Sequence, residues 1–271
     1  MKIAILYTSH RQWQELDYTP AFFERTERVK REVDVLFHCN NGEINETALC
    51  EKLAKIPAKS LHVRYSPQQN TGGYPYGQFE AIVDLWNHLD LTQWDWIIHF
   101  HPDIYIADER PLLAAIESAE RDGKEMLLTK VFGHKSPTFG TDFFAFKPLP
   151  GFKAIFESYV PLLATPIVVP LEALFFIEVH RAGVKYIVAP RYRHGHYHRD
   201  FDGLGLWHEH NMRRIAAHLR KPSLRWWETM KQCLLQPTRA ARTFAEWTGR
   251  SLYKIPQDSL AAQWTRIDPR K

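Results

Sequence analysis

The chain has 271 residues, 45% of them apolar and 24% charged, with a formal net charge of +4 at pH 7. These are ordinary globular values, and the length suits one sizeable domain with a real core plus an appendage. Three cysteines (Cys39, Cys50, Cys233) show no paired spacing, so neither a disulfide framework nor a cysteine-ligated zinc site is indicated, which favours a reducing, cytoplasmic setting.

In chain order, KIAILYTS (2–9) reads as a first strand, since its apolar run is too short for a signal peptide. Thr19-Pro20 opens a helix predicted to run to about Glu32, with proline in its first turn. VDVLFHCN (33–40) is a second strand, INETALCEKLAKI (44–56) a helix and SLHVRYS (60–66) a third strand. The loop PQQNTGGYPYG (67–77) leads into a helix marked by Phe79, Ile82, Val83, Trp86 and Leu89 at i, i+3, i+4 spacing. A fourth strand covers about 94–101, and a helix from Arg110 to Arg121 is stopped by Gly123. EMLLTKVF (125–132) and TDFFAFKP (141–148) add two strands. Pro170 opens a helix ending at Gly183, and VKYIVAP (184–190) is the last strand. Three prolines and Glu172 interrupt the apolar stretch 159–179, so it reads as loop and helix rather than as a membrane span.

Strands alternating with helices predict an α/β fold with a mostly parallel central sheet covered by helices on both faces, over residues 1–220. From Lys221 on there are ten Lys and Arg against four Asp and Glu. Residues 221–271 thus carry +6 and the first 220 carry −2. This Trp-rich, basic, helical extension suits either packing on the domain or contact with an anionic membrane surface. No nucleic-acid recognition module is visible.

The chemistry concentrates at the predicted strand ends, where such sheets bind ligands. In WIIHFHPDIYI (96–106), period-2 geometry puts His99, His101 and Asp103 on one face, and Pro102 marks the strand end. His-Pro-Asp also occurs in J-domains, but there it joins two helices, which the apolar strand here excludes. An imidazole and a carboxylate at a strand end suit a divalent cation; His99, two residues deeper, reads as a hydrogen-bonded core histidine. His194, His196 and His198 follow the last strand at i, i+2, i+4. Gly72-Gly73 permits close backbone approach, but the P-loop ending is missing. Glu172 falls in the first turn of its helix, where an acid is favoured by the helix dipole in any case.

The order of strand, glycine-containing loop, helix and then W-D-W-I-I-H-F-H-P-D-I-Y-I resembles the GT-A glycosyltransferases, the nucleotide-diphospho-sugar transferases, over about residues 1–200. His101 stands where their Asp-x-Asp has its first acid, and Asp103 keeps the second. The resemblance implies a nucleotide-sugar donor and a glycan or lipid-linked acceptor. It also implies Mn²⁺ or Mg²⁺ held by His101, Asp103 and one of His194, His196 and His198. By the same analogy Tyr7, Thr8 and Ser9 flank the nucleotide base, Arg11, Asn70, Gly72 and Gly73 touch the donor, and Glu172 or Asp142 is the base. Two rivals stay open: a metallohydrolase using His-x-His-x-Asp, and a non-catalytic nucleotide- or glycan-binding protein of the same fold.

Overall fold

The computed structural model describes residues 1–9, 16, 19–40, 45–66, 73–106, 108–130, 139–165, 169–189 and 204–208. The proposed C-terminal extension lies outside them. Seven strands form the main sheet: β1 (Ile3–Ser9), β2 (Asp34–Cys39), β3 (Ser60–Tyr65), β4 (Trp96–Phe100), β6 (Met126–Lys130), β7 (Phe139–Phe146) and β8 (Tyr186–Ala189). Their order is β3-β2-β1-β4-β7-β6-β8. All pairings are parallel except those of β7, which runs against β4 and β6. The expected α/β class and mostly parallel sheet are therefore present. β1, β2 and β4 are buried along their whole length, which is why their sequences are mostly apolar, with Asp34, His38 and His99 among the few polar members.

Helices cover both faces. One face packs Ile3, Ile5, Trp96 and Ile98 against α1 (Thr19–Phe23), α2 (Val29–Glu32), α3 (Glu46–Leu53) and α5 (Glu109–Arg121). The other packs Leu6, Leu36, Ile97 and Phe144 against α4 (Gly73–His88), α6 (Phe152–Glu157) and α7 (Leu171–Arg181). The predicted stops at Gly123 and Gly183 hold, with φ of +61° and +65° in the region glycine enters freely. Among the described residues no helix is long and apolar enough to cross a membrane.

Several sequence expectations need correction. The helix expected over 19–32 is broken into α1 and α2, because the carboxylate of Glu109 accepts hydrogen bonds from the amides of Glu27, Arg28 and Val29. In a continuous helix those amides would instead donate to the carbonyls four residues earlier. The loop expected to run to residue 77 ends earlier, for Gly73 already begins α4 and is not in the positive-φ region. Pro75 is tolerated because it sits in the first turn. Finally, β5 (Ile104–Ile106) and β9 (Leu206–His208), which the sequence reading missed, form a separate antiparallel pair with Ile104 opposite His208.

Candidate active site at the sheet switch point

In chain order β1, β2 and β3 step outward in one direction, whereas β4 lies on the other side of β1. The sheet therefore reverses between β1 and β4, and the carboxyl ends of those two strands flank the crevice where open α/β sheets bind ligands. The end of β4 is His101-Pro102-Asp103. It does not continue as a strand: the Ile104 amide donates to the His101 carbonyl at 3.0 Å, closing a β-turn with Pro102 and Asp103 at its centre. Among the described residues, Asp103 included, no non-glycine residue has a positive φ, which rules out type II and fits type I, with proline at its favoured position. Asp103 thus leaves the strand's alternating pattern, contrary to the period-2 expectation, and is only 7% exposed.

Of the three residues at the end of β1, Tyr7 packs with Ile3 and Ile5 on one face of the sheet, and Ser9 follows it by alternation. The Tyr7 and Ser9 hydroxyls are both buried without a hydrogen-bond partner. Burial also raises the Tyr7 phenol well above its ordinary pKa, so it stays neutral. Two such hydroxyls cost free energy unless a ligand or water completes them. Thr8 points the other way, and its Oγ1 lies 2.9 Å from His99 Nε2. It is committed to the core rather than available to a base.

His99 is the core histidine expected of it: fully buried, stacked on Phe144 at 4.6 Å and bonded to Thr8. Desolvation, and then repulsion from His101, hold its pKa well below the ordinary value, so it is neutral. His101 is 27% exposed and lies across the β4–β7 pair from Asp142, which is 51% exposed. Its amide donates to the Asp142 carbonyl at 3.1 Å, and its Nδ1 is 3.4 Å from Asp142 Oδ1. Gln78 on α4, missed in the sequence reading, ties this together. Its Nε2 donates to the Thr141 carbonyl at 2.7 Å and its Oε1 lies 3.1 Å from His101 Nε2. A signal existed: Gln78 stands one helical step before Ile82, on the apolar stripe of α4. The helix itself is tied to β2 and β3, because Asp84 bonds His38 Nε2 at 2.8 Å and Arg64 Nε at 3.0 Å. Those two partners, His38 first, hold the Asp84 carboxyl well below the usual range against the opposing effect of burial.

Glu172 is the second residue of α7. The start of that helix is pinned by Tyr76 of α4, whose hydroxyl accepts from the Val169 amide at 3.0 Å. Gly205, with φ +69°, lets β9 approach so closely that a Cβ would strike the Asp108 carbonyl. Its own carbonyl accepts from the Asp108 amide at 3.0 Å. β9 therefore docks beside the turn, with His208 in register one residue past Asp103. Arg11, Asn70, Gly72, His194, His196 and His198 lie outside the described residues.

Among the described residues no group of three His, Cys, Asp or Glu gathers closely enough to hold a metal ion. An imidazole and a carboxylate side by side nevertheless suit an ion that keeps several positions for diphosphate oxygens and water. The residues present therefore fit a shared site, not a closed protein cage.

No family model matches the chain, and no curated protein matches it. Among solved structures it is similar to a mannosyltransferase from Pyrobaculum calidifontis in complex with GDP-Man and Mn²⁺, at 11% identity, TM-score 0.48, covering 97% of this chain and 84% of that one. It is also similar to core-mannan synthase A from Aspergillus fumigatus in its Mn/GDP form, at 10% identity and TM-score 0.48, covering 69% and 72%. A third is a nucleoside-diphosphate-sugar pyrophosphorylase from Vibrio cholerae, at 13% identity and TM-score 0.44, covering 69% and 90%. At such identities and scores, the chain's own strand order and switch-point turn define the architecture.

Proposed function

We propose that the protein is a glycosyltransferase of the hexosyl type, moving a sugar from a nucleotide-diphosphate donor to a glycan or lipid-linked acceptor, as in bacterial surface polysaccharide synthesis. One observation carries the reading. The His101-Pro102-Asp103 turn stands at the switch point, across from two buried hydroxyls of β1 that lack protein partners. An imidazole and a carboxylate at a strand end, beside hydroxyls without protein partners, suit a cation-bound diphosphate with a nucleoside attached.

His101 and a neighbouring carboxylate (Asp103, by the family resemblance) would hold Mn²⁺ or Mg²⁺, with one of His194, His196 and His198 completing the set. The ion supplies charge stabilisation to the leaving diphosphate. By the family resemblance, Arg11, Asn70, Gly72 and Gly73 would touch the donor, and Tyr7 and Ser9 would flank the base. If the transfer inverts configuration, Glu172 or Asp142 takes the proton of the attacking hydroxyl; if it retains configuration, no such base is required. Residues 221–271 would hold the protein at the cytoplasmic face of an anionic membrane. Sedimentation with anionic liposomes, with and without residues 222–271, tests that attachment: equal sedimentation of the truncated chain rejects it.

The metallohydrolase reading loses ground on His99. The first member of its His-x-His-x-Asp cluster is fully buried and already bonded to Thr8. A thermal-shift panel of nucleotide sugars with and without Mn²⁺ tests the transferase reading. A donor at 100 times its Kd adds roughly 2.7 kcal/mol of apparent stability. The same donor should then be consumed in the presence of acceptor. If no nucleotide sugar moves the melting temperature in either buffer, the reading is wrong.

A further inference from the structure

We infer that the ion is held across the β4–β7 strand pair, by His101 through Nδ1 and by the carboxylate of Asp142, with Gln78 as the positioning residue that fixes the imidazole. The inference rests on the donor-site reading above and changes its ligand set.

The argument begins with an oxygen that can only accept. The Thr141 carbonyl lies 2.7 Å from one end of the Gln78 amide, so that end must be the NH₂ group. The other end is then Oε1, again only an acceptor, and it lies 3.1 Å from His101 Nε2. Nε2 must therefore carry a hydrogen. In the neutral ring that leaves the lone pair on Nδ1. Metal-bound histidines habitually donate their second nitrogen to an oxygen in this way, which fixes the ring's tautomer and direction.

Nδ1 is the nitrogen beside Asp142, 3.4 Å from Oδ1. Two ligands each about 2.1 Å from one ion stand about 3.0–3.4 Å apart at angles of 90–110°. The pair is thus already spaced for a shared ion. The ladder bond from the His101 amide to the Asp142 carbonyl holds the two residues in register. Both side chains are open to a ligand, at 27% and 51% exposure, whereas Asp103 is 7% exposed inside its turn. Asp142 on the neighbouring strand would supply the acid that the sequence lacks at position 101. A nitrogen beside an oxygen favours Mn²⁺ over Mg²⁺. Two protein ligands leave room for the diphosphate, and they are what the described residues provide.

The test counts free Mn²⁺ by electron paramagnetic resonance on the full chain, with Mn²⁺ alone and with UDP or GDP. Wild type should bind Mn²⁺ more tightly with a diphosphate present. Asp142→Asn and His101→Ala should each weaken that binding by at least about tenfold, with Asp142→Asn leaving the melting temperature unchanged. For Gln78, imidazole ¹⁵N shifts of the metal-free protein give a reading that general loss of stability would not move. His101 should be protonated at Nε2 in wild type and lose that preference in Gln78→Leu. If Asp142→Asn binds Mn²⁺ like wild type while Asp103→Asn does not, the ligand assignment is overturned and the donor-site reading stands. A wild-type His101 protonated at Nδ1 overturns it too. If wild type binds neither diphosphate nor Mn²⁺ in its presence, the donor-site reading falls and the assignment falls with it.

Discussion

Thr8 Oγ1 and His99 Nε2 meet 2.9 Å apart and join the two central strands, β1 and β4, beneath the crevice between their carboxyl ends. The bond lies inside the core, with the His99 ring stacked on Phe144. It therefore serves the platform and not the ligand. His99→Ala removes the stack and leaves the Thr8 hydroxyl unpaired, so it should cost roughly 3 kcal/mol. His99→Phe keeps the volume and should cost less, roughly 1–2 kcal/mol for the stranded hydroxyl. Urea denaturation of both variants checks the order. A neutral His99→Ala would mean that the site is wet and the histidine functional.

Acid should destabilise the fold before carboxylates titrate. His180 is neutral because burial lowers its pKa, despite its bond to the Phe176 carbonyl, and Tyr186 meets its other nitrogen at 3.0 Å. His99 is lowered further by its deeper burial. A depressed folded pKa means that the unfolded chain binds the proton more readily, so stability rises with pH across this window. It is fully present above the unfolded value of about 6.5 and is lost as pH falls from there toward the folded pKa values. The melting temperature should be flat from pH 8 to 7 and fall between pH 6.5 and 5, with a shallower fall in His99→Phe. A flat profile down to pH 5 would contradict both assignments.

The inner strands β1, β2 and β4 were legible in the sequence because burial on both faces leaves mostly apolar runs, and the switch-point position of His-Pro-Asp followed from chain order alone. What the sequence hid depended on contacts between distant residues. The break between α1 and α2 is made by Glu109, some eighty positions away. β5 and β9 have three residues each, too few for any period to show, and their pairing joins residues about a hundred positions apart. Asp142 was read as a base or an acceptor-holding residue by the family resemblance, and its position against His101 required the antiparallel register. Gln78 was legible in principle as a polar interruption of an apolar stripe, and its two partners were not.

That same β5–β9 pair yields a third prediction. Gly205 has φ +69° and its backbone packs directly against the Asp108 carbonyl. Alanine there is strained in both conformation and space, so Gly205→Ala should cost about 2 kcal/mol or more. Because β9 docks beside the 101–104 turn, the loss should extend to the diphosphate site. Calorimetric titration with UDP or GDP and Mn²⁺ should show weakened binding even at temperatures where the variant is folded. Normal affinity in a destabilised variant would mean that the small sheet supports the fold and not the site.

The last prediction concerns the base. With Asp142 assigned to the ion, the proton of an attacking hydroxyl falls to Glu172, whose helix start is held by the Tyr76 hydroxyl on the Val169 amide. Glu172→Gln keeps the shape and the first-turn position but cannot accept a proton, so turnover should fall roughly 10²–10⁴-fold. Mn²⁺ and diphosphate binding should stay at the wild-type level, because Glu172 is not a ligand in this assignment. Tyr76→Phe should act in the same direction but weakly, raising no barrier to ion binding and costing about 1 kcal/mol of the anchoring bond. The two acids are thus separated by what each variant loses: Asp142→Asn loses the ion, Glu172→Gln loses only the chemistry. Near-normal turnover in Glu172→Gln, with donor binding intact, would point to transfer with retention, where the donor's own leaving diphosphate can take the proton and no protein base is needed.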